Sequence, residues 1–471
     1  VTTSIATPVE PDVVQLMCDD ALLAYTDNVW RSLHHPAKHQ ANPLLEPDRP
    51  WEGYLVLQPG TVIYDQARSC FKMWYNSQPT EDRPVGHTLC YATSVDGIRW
   101  EKPELGLTDF EGSKENNILF EGPVWTHCVL EDEHEPDPQK RYKLLYWGWP
   151  GQAEAKGIYA AFSPDGIHWD CFDGNPIVPT WVTGDTFSVM RDPSSGQYWL
   201  YHKTPKQPIR TVSRMVSDDF IHWSDSRRVL APDRYDPPDT QFYGLSAYPS
   251  GGQVLGLLWV YHTYAQTMDV QLVSSRDGLH WDRTADRKLL VHLEPTNNYP
   301  GQAFDSEMIY PTSAPVIHDG RQWIYYSGFT VPHNAYAHDH DGRIGLATGR
   351  QDGFCSWDAT SQGVIVTKPF TWKGTGLRMN ADSLPRVSAH DVDQPEPVGV
   401  RVQIENESGD PYPGLTLDAS TTISGDALAA DVSWSGRSSL KDLDGKTVRL
   451  RFVLNYARLF SWRMIDEQRN S

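Results

Sequence analysis

The chain has 471 residues, a length for which two domains are the ordinary expectation. With 61 acidic against 41 basic residues its formal charge is −20, a field that repels nucleic acid but is indifferent to neutral ligands such as sugars. There are 18 Trp and 22 Tyr beside 35 Gly and 35 Pro, helical apolar periodicity is scarce, and no apolar run reaches the ~18 residues of a membrane span; a turn-rich all-β protein follows.

The first residues, VTTSIATPVEPDVV, lack the basic and apolar blocks of a signal peptide. Residues 1–50 are expected to wrap the body that follows, or to complete one of its outer strands and so remove an exposed edge. From there a unit recurs: an apolar strand, a turn, then an aromatic strand. Its versions begin at Val62 (VIYDQARSCFKMWY), Val129, Val189, Leu245 and Val316 (VIHDGRQWIYYSG). Asp, Pro, Ser and Gly make the turns, and β-branched and aromatic residues make the strands. A third strand such as GIYAAFS (157) then runs into a short phrase: SVDGIRW (94), SPDGIHW (163), SDDFIHW (217), SRDGLHW (275) and, more loosely, QDGFCSW (351). In the phrase Asp caps a tight turn, Gly supplies the left-handed φ, and Trp packs the outer strand on its neighbours. The closing residues Trp100, Trp169, Trp223, Trp281 and Trp357 recur with the roughly 50-residue period of a propeller blade, lengthened by insertions.

The fold read from this pattern is an all-β, five-bladed β-propeller over residues 51–361, followed by a C-terminal β-sandwich over 362–471. The second part alternates apolar and polar residues without a blade phrase, with ENESGDPYPG and DLDGK as hairpin turns and Trp372, Trp434 and Trp462 as packing residues. The six cysteines form no C-x-x-C pair, although Cys70 and Cys90 fall in one blade.

Five blades with S-x-D-G-x-x-W corners and a trailing sandwich resemble the five-bladed glycoside hydrolases, the superfamily containing families 32, 43, 62 and 68. NPLLEPDRPWEG (42), RYKLLYWGW (141), DTQFYGLSAYP (239), FDSEMIYPTSAP (304) and the tail GKTVRLRFVLNYARLFSW are similar to a family-32-like bacterial branch. The resemblance covers nearly the whole chain and implies a glycosidase acting on oligosaccharide or polysaccharide. The family-32 nucleophile motif W-x-N-D-P-N-G and the Glu-Cys acid motif are missing. Arg191-Asp192-Pro193 matches a third motif by letters, but Asp192 aligns with Asp65, Asp132 and Asp319 at a strand-one/strand-two turn, far from the expected pocket.

In the resembling hydrolases the carboxylates stand where the innermost strands enter. Walking back about one short strand from each turn yields the candidate acids Glu52, Asp185, Asp239, Asp305 and Glu307. Glycoside hydrolysis needs two of them, one protonated and one ionised, with a third to tune the acid. Glu307, the longest acid facing the expected pocket, is taken as general acid, with Asp185, Asp239 and Glu52 as the other catalytic candidates. Trp125, His127, Tyr243, Asp305, Trp181 and His333 are expected to shape the sugar site. His127, His262 and His333 lie in three different blades, and HNAYAHDHDGR (333) reads as a polar rim loop, so neither metal nor cofactor is expected. No phosphate loop or G-x-S-x-G elbow occurs. A sugar-binding propeller without catalysis is the competing function. A glycoside phosphorylase ranks last, because no strand entry offers an obvious basic cluster.

Overall fold

The computed structural model describes residues 9–78, 88–120, 124–148, 155–205, 209–294, 303–335, 341–385 and 397–466, and these contain strands and short 3-10 turns but no α-helix. The molecule is an all-β propeller with a further β-sheet domain at its C-terminus.

Successive antiparallel units make the propeller. Blade one is Leu55–Asp65, Cys70–Gln78, Thr88–Ser94 and Ile118–Phe120. Blade two is Val124–Glu131, Tyr142–Gly148 and Gly157–Ser163, edged by Asp170–Cys171 and Val178–Pro179. Blade three is Phe187–Arg191, Tyr198–Lys203, Val212–Ser217 and Arg227–Leu230. Blade four is Thr240–Ser250, Gln253–His262 and Thr267–Ser275, edged by Trp281–Arg283 and Leu289–Val291. Blade five is Met308–Pro311 and Val316–His318, then Arg321–Phe329 and Arg343–Arg350. The first strands of blades one to four pack on one another in order, and that of blade five returns to blade one. Blades four and five join through the parallel bridge Met268–Met308.

The terminal segment does complete an outer strand. Ala37–Lys38 pairs with Thr348 and Ala347 and closes blade five. Earlier strands of that segment, Gln15–Leu16, Leu23–Asp27 and Trp30–Leu33, instead join the nine-stranded C-terminal sheet. That sheet is organised by the long strand Thr447–Ile465, which takes Cys355–Thr367 along one part of its length and Gly376–Ser383 and Gly399–Glu405 along others. Trp372, Trp434 and Trp462 are buried in its apolar core. Strand Cys355–Thr367 runs straight through residue 361, where the sequence pattern divides the chain. Trp357 accordingly leaves the propeller: it pairs with Arg31 and Leu459, unlike the other four phrase tryptophans.

The blade phrases are corners, as their letters imply. Oδ1 of Asp96 accepts from the amides of Ile98 and Arg99 at 2.9 and 2.8 Å, and Asp165, Asp219 and Asp277 repeat the pattern. Each corner also meets the preceding blade. Gly97 O accepts from Tyr325 Oη at 2.8 Å, Gly166 O from Trp74 Nε1 at 2.7 Å, and Gly278 O from Tyr201 Oη at 3.1 Å. The glycines have φ of +71, +79 and +68°, and a Cβ on them would lie within 2.7 Å of those neighbours. At the other two corners Phe220 and Asp352 take the left-handed position, with φ of 71 and 54°. The strand register places Leu145 and Leu257 of the preceding blades where Trp74, Tyr201 and Tyr325 stand elsewhere. A corner is therefore glycine where the neighbour presents an aromatic donor, and carries a side chain where the neighbour is leucine.

Candidate active site

All first strands run the same way. Their C-terminal ends converge on a cavity of about 760 Å³ whose walls include Asp65, Glu131, Arg191, Tyr248 and Ile317. Two of the acids there are committed: Asp65 lies 2.7 Å from Lys72 and Glu131 3.0 Å from Arg141. Asp192 belongs to the same end, accepting from Ser194 Oγ, Ser195 N and Ser195 Oγ at 2.7, 2.8 and 2.6 Å, the arrangement of a turn residue. The N-terminal ends of the first strands ring the opposite mouth.

Asp185 and Glu307 share that rim. Asp185 stands two residues before Phe187–Arg191 of blade three, and Glu307 directly before Met308–Pro311 of blade five. Asp185 forms an ion pair with Lys203. Lys203 Nζ lies 3.7 Å from the centre of the Tyr243 ring, and that ring stacks at 6.2 Å with Tyr310, on the strand Glu307 precedes. The Tyr243 hydroxyl is 3.0 Å from His333 Nε2. A continuous polar and aromatic wall thus runs from blade three to blade five.

The two acids are pushed in opposite directions. Burial acts to raise Asp185, but the Lys203 ammonium more than offsets it and holds the carboxyl below its ordinary range. Burial raises Glu307, whose carboxylate has no ion pair or hydrogen bond among the described residues. One rim acid that favours its proton and another that sheds it make the division of labour that acid–base chemistry requires.

The other acid candidates differ in their surroundings. Asp239 directly precedes Thr240–Ser250 on the rim, where it accepts from Tyr264 N at 3.3 Å and caps a loop. Glu52 is a correction: it is fully buried, with Lys102 Nζ at 2.7 Å and Tyr75 Oη donating at 2.6 Å. The amides of Asp48 and Arg49 add two more bonds, leaving it no freedom to meet a substrate. Asp305 is a second correction. Buried beside Tyr326 Oη at 2.8 Å and Lys38 Nζ at 2.7 Å, it fastens the closing strand Ala37–Lys38 to blade five. His127 is a third, its buried ring wedged against blade one with nitrogens 2.8 Å from Asn76 Oδ1 and Trp74 O. Trp125 lies half-buried on the first strand of blade two, and Trp181 is 70% exposed on the loop leading to Asp185. Residues 338–340 of the histidine-rich loop lie outside the described residues.

Two mouth residues escaped the sequence reasoning: Lys203 and Arg210. In an antiparallel blade the end of the second strand and the start of the third return to the mouth where the first begins, so a search limited to first-strand entries passes them by. Lys203 ends Tyr198–Lys203, and Arg210 precedes Val212–Ser217. Arg210 lies 5.4 and 5.3 Å from the Tyr243 and Tyr261 rings, and its Nη1 donates to Gln241 Oε1 at 2.7 Å. A basic cluster therefore does stand at this mouth, against the expectation that none would.

The neighbouring His202 yields a pH test. It is buried, with Nδ1 3.2 Å from Lys203 O and Nε2 2.9 Å from Ser226 Oγ, and burial lowers it from 6.5 to about 4. Between those values the unfolded chain binds a proton that the folded one refuses, so this stability is complete above pH 6.5 and is lost as pH falls toward 4. The full loss is about 3 kcal/mol. The urea midpoint is expected to drop between neutral and mildly acidic pH, and to drop less in His202→Gln; an equal drop in both proteins contradicts a neutral buried ring.

No protein-family model and no curated protein matches the chain. Among solved structures it is similar to a glycosyl hydrolase from Bacteroides ovatus at 14% identity, covering 68% of this chain and 94% of that one, with a TM-score of 0.46. A structure from work on GH130 mannoside phosphorylases and hydrolases targeting β-1,2-mannosidic linkages in Candida mannan gives 13%, 68%, 94% and 0.47. The α-L-arabinofuranosidase from Podospora anserina in complex with cellotriose gives 14%, 66%, 96% and 0.45. Likeness at this level carries no statement about chemistry or substrate.

Proposed function

We propose that the chain is a glycoside hydrolase whose active site is the mouth bearing Asp185 and Glu307. The observation that carries this reading is the opposite displacement of the two acids on one rim, Glu307 raised by burial and Asp185 lowered by Lys203. Glu307 gives its proton to the leaving glycosidic oxygen. Asp185 supplies the ionised partner at the anomeric carbon, and water provides the hydroxyl that replaces the aglycone. Trp181, 70% exposed on the loop leading to Asp185, offers an aromatic face on which sugar C–H groups pack. The finer form of the proposal, an exo-acting enzyme that removes terminal furanosidic sugars, follows the resemblance of the blade phrases to the propeller hydrolases.

The test is leaving-group dependence. Dinitrophenol departs without protonation, so Glu307→Gln is expected to cleave dinitrophenyl glycosides within about tenfold of wild type while losing its action on alkyl glycosides, whose leaving group needs the acid. Equal losses on both substrates remove Glu307 from the acid role. Release of internal oligosaccharides in place of single sugars removes the exo assignment.

A further inference from the structure

The mouth holds a guanidinium, Arg210, that no described carboxylate pairs. Lys203 and Arg210 both face the Tyr243 ring, at 3.7 and 5.4 Å, and Arg210's charge bears on Lys203. Asp185 is paired with Lys203, whereas Arg210 pairs with no carboxylate among the described residues and donates instead to the neutral amide of Gln241. Elsewhere this acidic chain pairs its arginines readily: in and beside blade four, Arg276 meets Asp19, Arg283 meets Asp236 and Arg287 meets Asp233, at 2.7, 3.1 and 2.7 Å. The two neighbouring cations repel each other, and a half-buried guanidinium backed by two tyrosines is oriented without pairing with a carboxylate.

We infer that the sugar bound at this mouth carries a carboxylate, which Arg210 receives, so that the substrate is a glycan bearing uronic acid. This deepens the hydrolase reading, though not its furanosidic form, because hexuronates are pyranoses, and it rests on the mouth being the sugar site. A guanidinium presents parallel N–H donors that match the two oxygens of a carboxylate. Because Lys203 is committed to Asp185, one cation remains, which suits a monoanion better than the nearly dianionic phosphate that phosphorolysis would bring. A substrate anion also explains why Arg210 rests on aromatic rings, which hold its plane without competing for its donors.

Equilibrium binding tests this without turnover, by titrating galacturonate, glucuronate, galactose, glucose and inorganic phosphate into wild type, Arg210→Gln and Arg210→Lys. Wild type is expected to bind at least one uronate about tenfold or more tighter than its neutral parent, the effect of one charge-assisted pair. Arg210→Gln should bring the uronate to the level of the neutral sugar, and Arg210→Lys should restore only part of the preference, since an ammonium lacks the fork. No saturable uronate binding, equal affinity for uronate and parent in wild type, an undiminished preference in Arg210→Gln, or phosphate outcompeting the uronates each overturns the inference. If Glu307→Gln shows the expected leaving-group dependence while the uronate preference is missing, hydrolysis stands and only the anionic substrate falls. If the preference is present and the leaving-group dependence is not, the reverse holds.

Discussion

Asp185→Asn and Glu307→Gln are each expected to lower kcat/KM on a glycan substrate by about 10²–10⁴-fold, the usual worth of a positioned acid or base, with the melting temperature near that of wild type. The loss separates by pH. Glu307 acts only while protonated, and burial raises it, so activity should persist to a higher pH than an ordinary glutamic acid allows and then fall as pH rises through the raised value. Asp185 acts only while ionised. Burial works against that form, and the Lys203 ammonium overrides burial, so the acid limb should lie below the ordinary aspartate range. Lys203→Met removes the override and leaves burial alone. The acid limb of the kcat/KM profile should then move to higher pH while the basic limb, set by Glu307, stays in place. A profile whose acid limb ignores Lys203→Met means that Asp185 is not the ionised partner. A basic limb that moves with Lys203 instead means that the two acids were assigned the wrong way round.

What could be read ahead of the structure depended on how local each interaction is. The corner phrases were legible because Asp96, Asp165, Asp219 and Asp277 bond to amides two and three residues on, and those distances along the chain are printed in the letters. The direction of the first strands was legible for the same reason, which is how counting back from Asp192 arrives at Asp185. The errors came from contacts between residues far apart in the sequence. Glu52 looked like an entry acid, but Lys102 and Tyr75 of the same blade enclose it. His127 looked like a rim residue, but its ring fills the space above Gly60, where a Cβ would fall 2.0 Å from its Nε2. Asp305 is spent on Lys38, whose position beside blade five depends on ring closure by the terminal segment. Lys203 and Arg210 carried a usable signal, since the end of a second strand and the start of a third must return to the first strand's entry. A count over entries, ends and starts together would have found them.

Gly166→Ala is expected to destabilise the propeller by about 2–5 kcal/mol, the sum of a left-handed φ that alanine dislikes and of overpacking. The backbone there has φ of +79°, and the new Cβ would lie 2.6 Å from Trp74 Cζ2, an atom of a buried ring that cannot swing aside without breaking the Trp74 Nε1–Gly166 O bond. The corner of blade three inverts the arrangement. Phe220 holds the left-handed position itself, with its ring buried against Tyr198 and Phe162 in the cluster that contains Leu145. Phe220→Ala should therefore cost about 3–5 kcal/mol through the cavity it leaves. The informative variant is the exchange. Phe220→Gly alone opens the same hole, and Leu145→Trp alone forces an indole against a ring already in place. Together they rebuild the pairing used by Trp74 and Gly166, so the double variant should be more stable than the two single losses predict, by about 1–3 kcal/mol in a double-mutant cycle read from urea midpoints. Strict additivity would mean that each corner tolerates its residue independently of the blade before it. Coupling would mean that the phrase recurs because every corner must close on its neighbour, and that Phe220 compensates for a neighbour with no donor to offer.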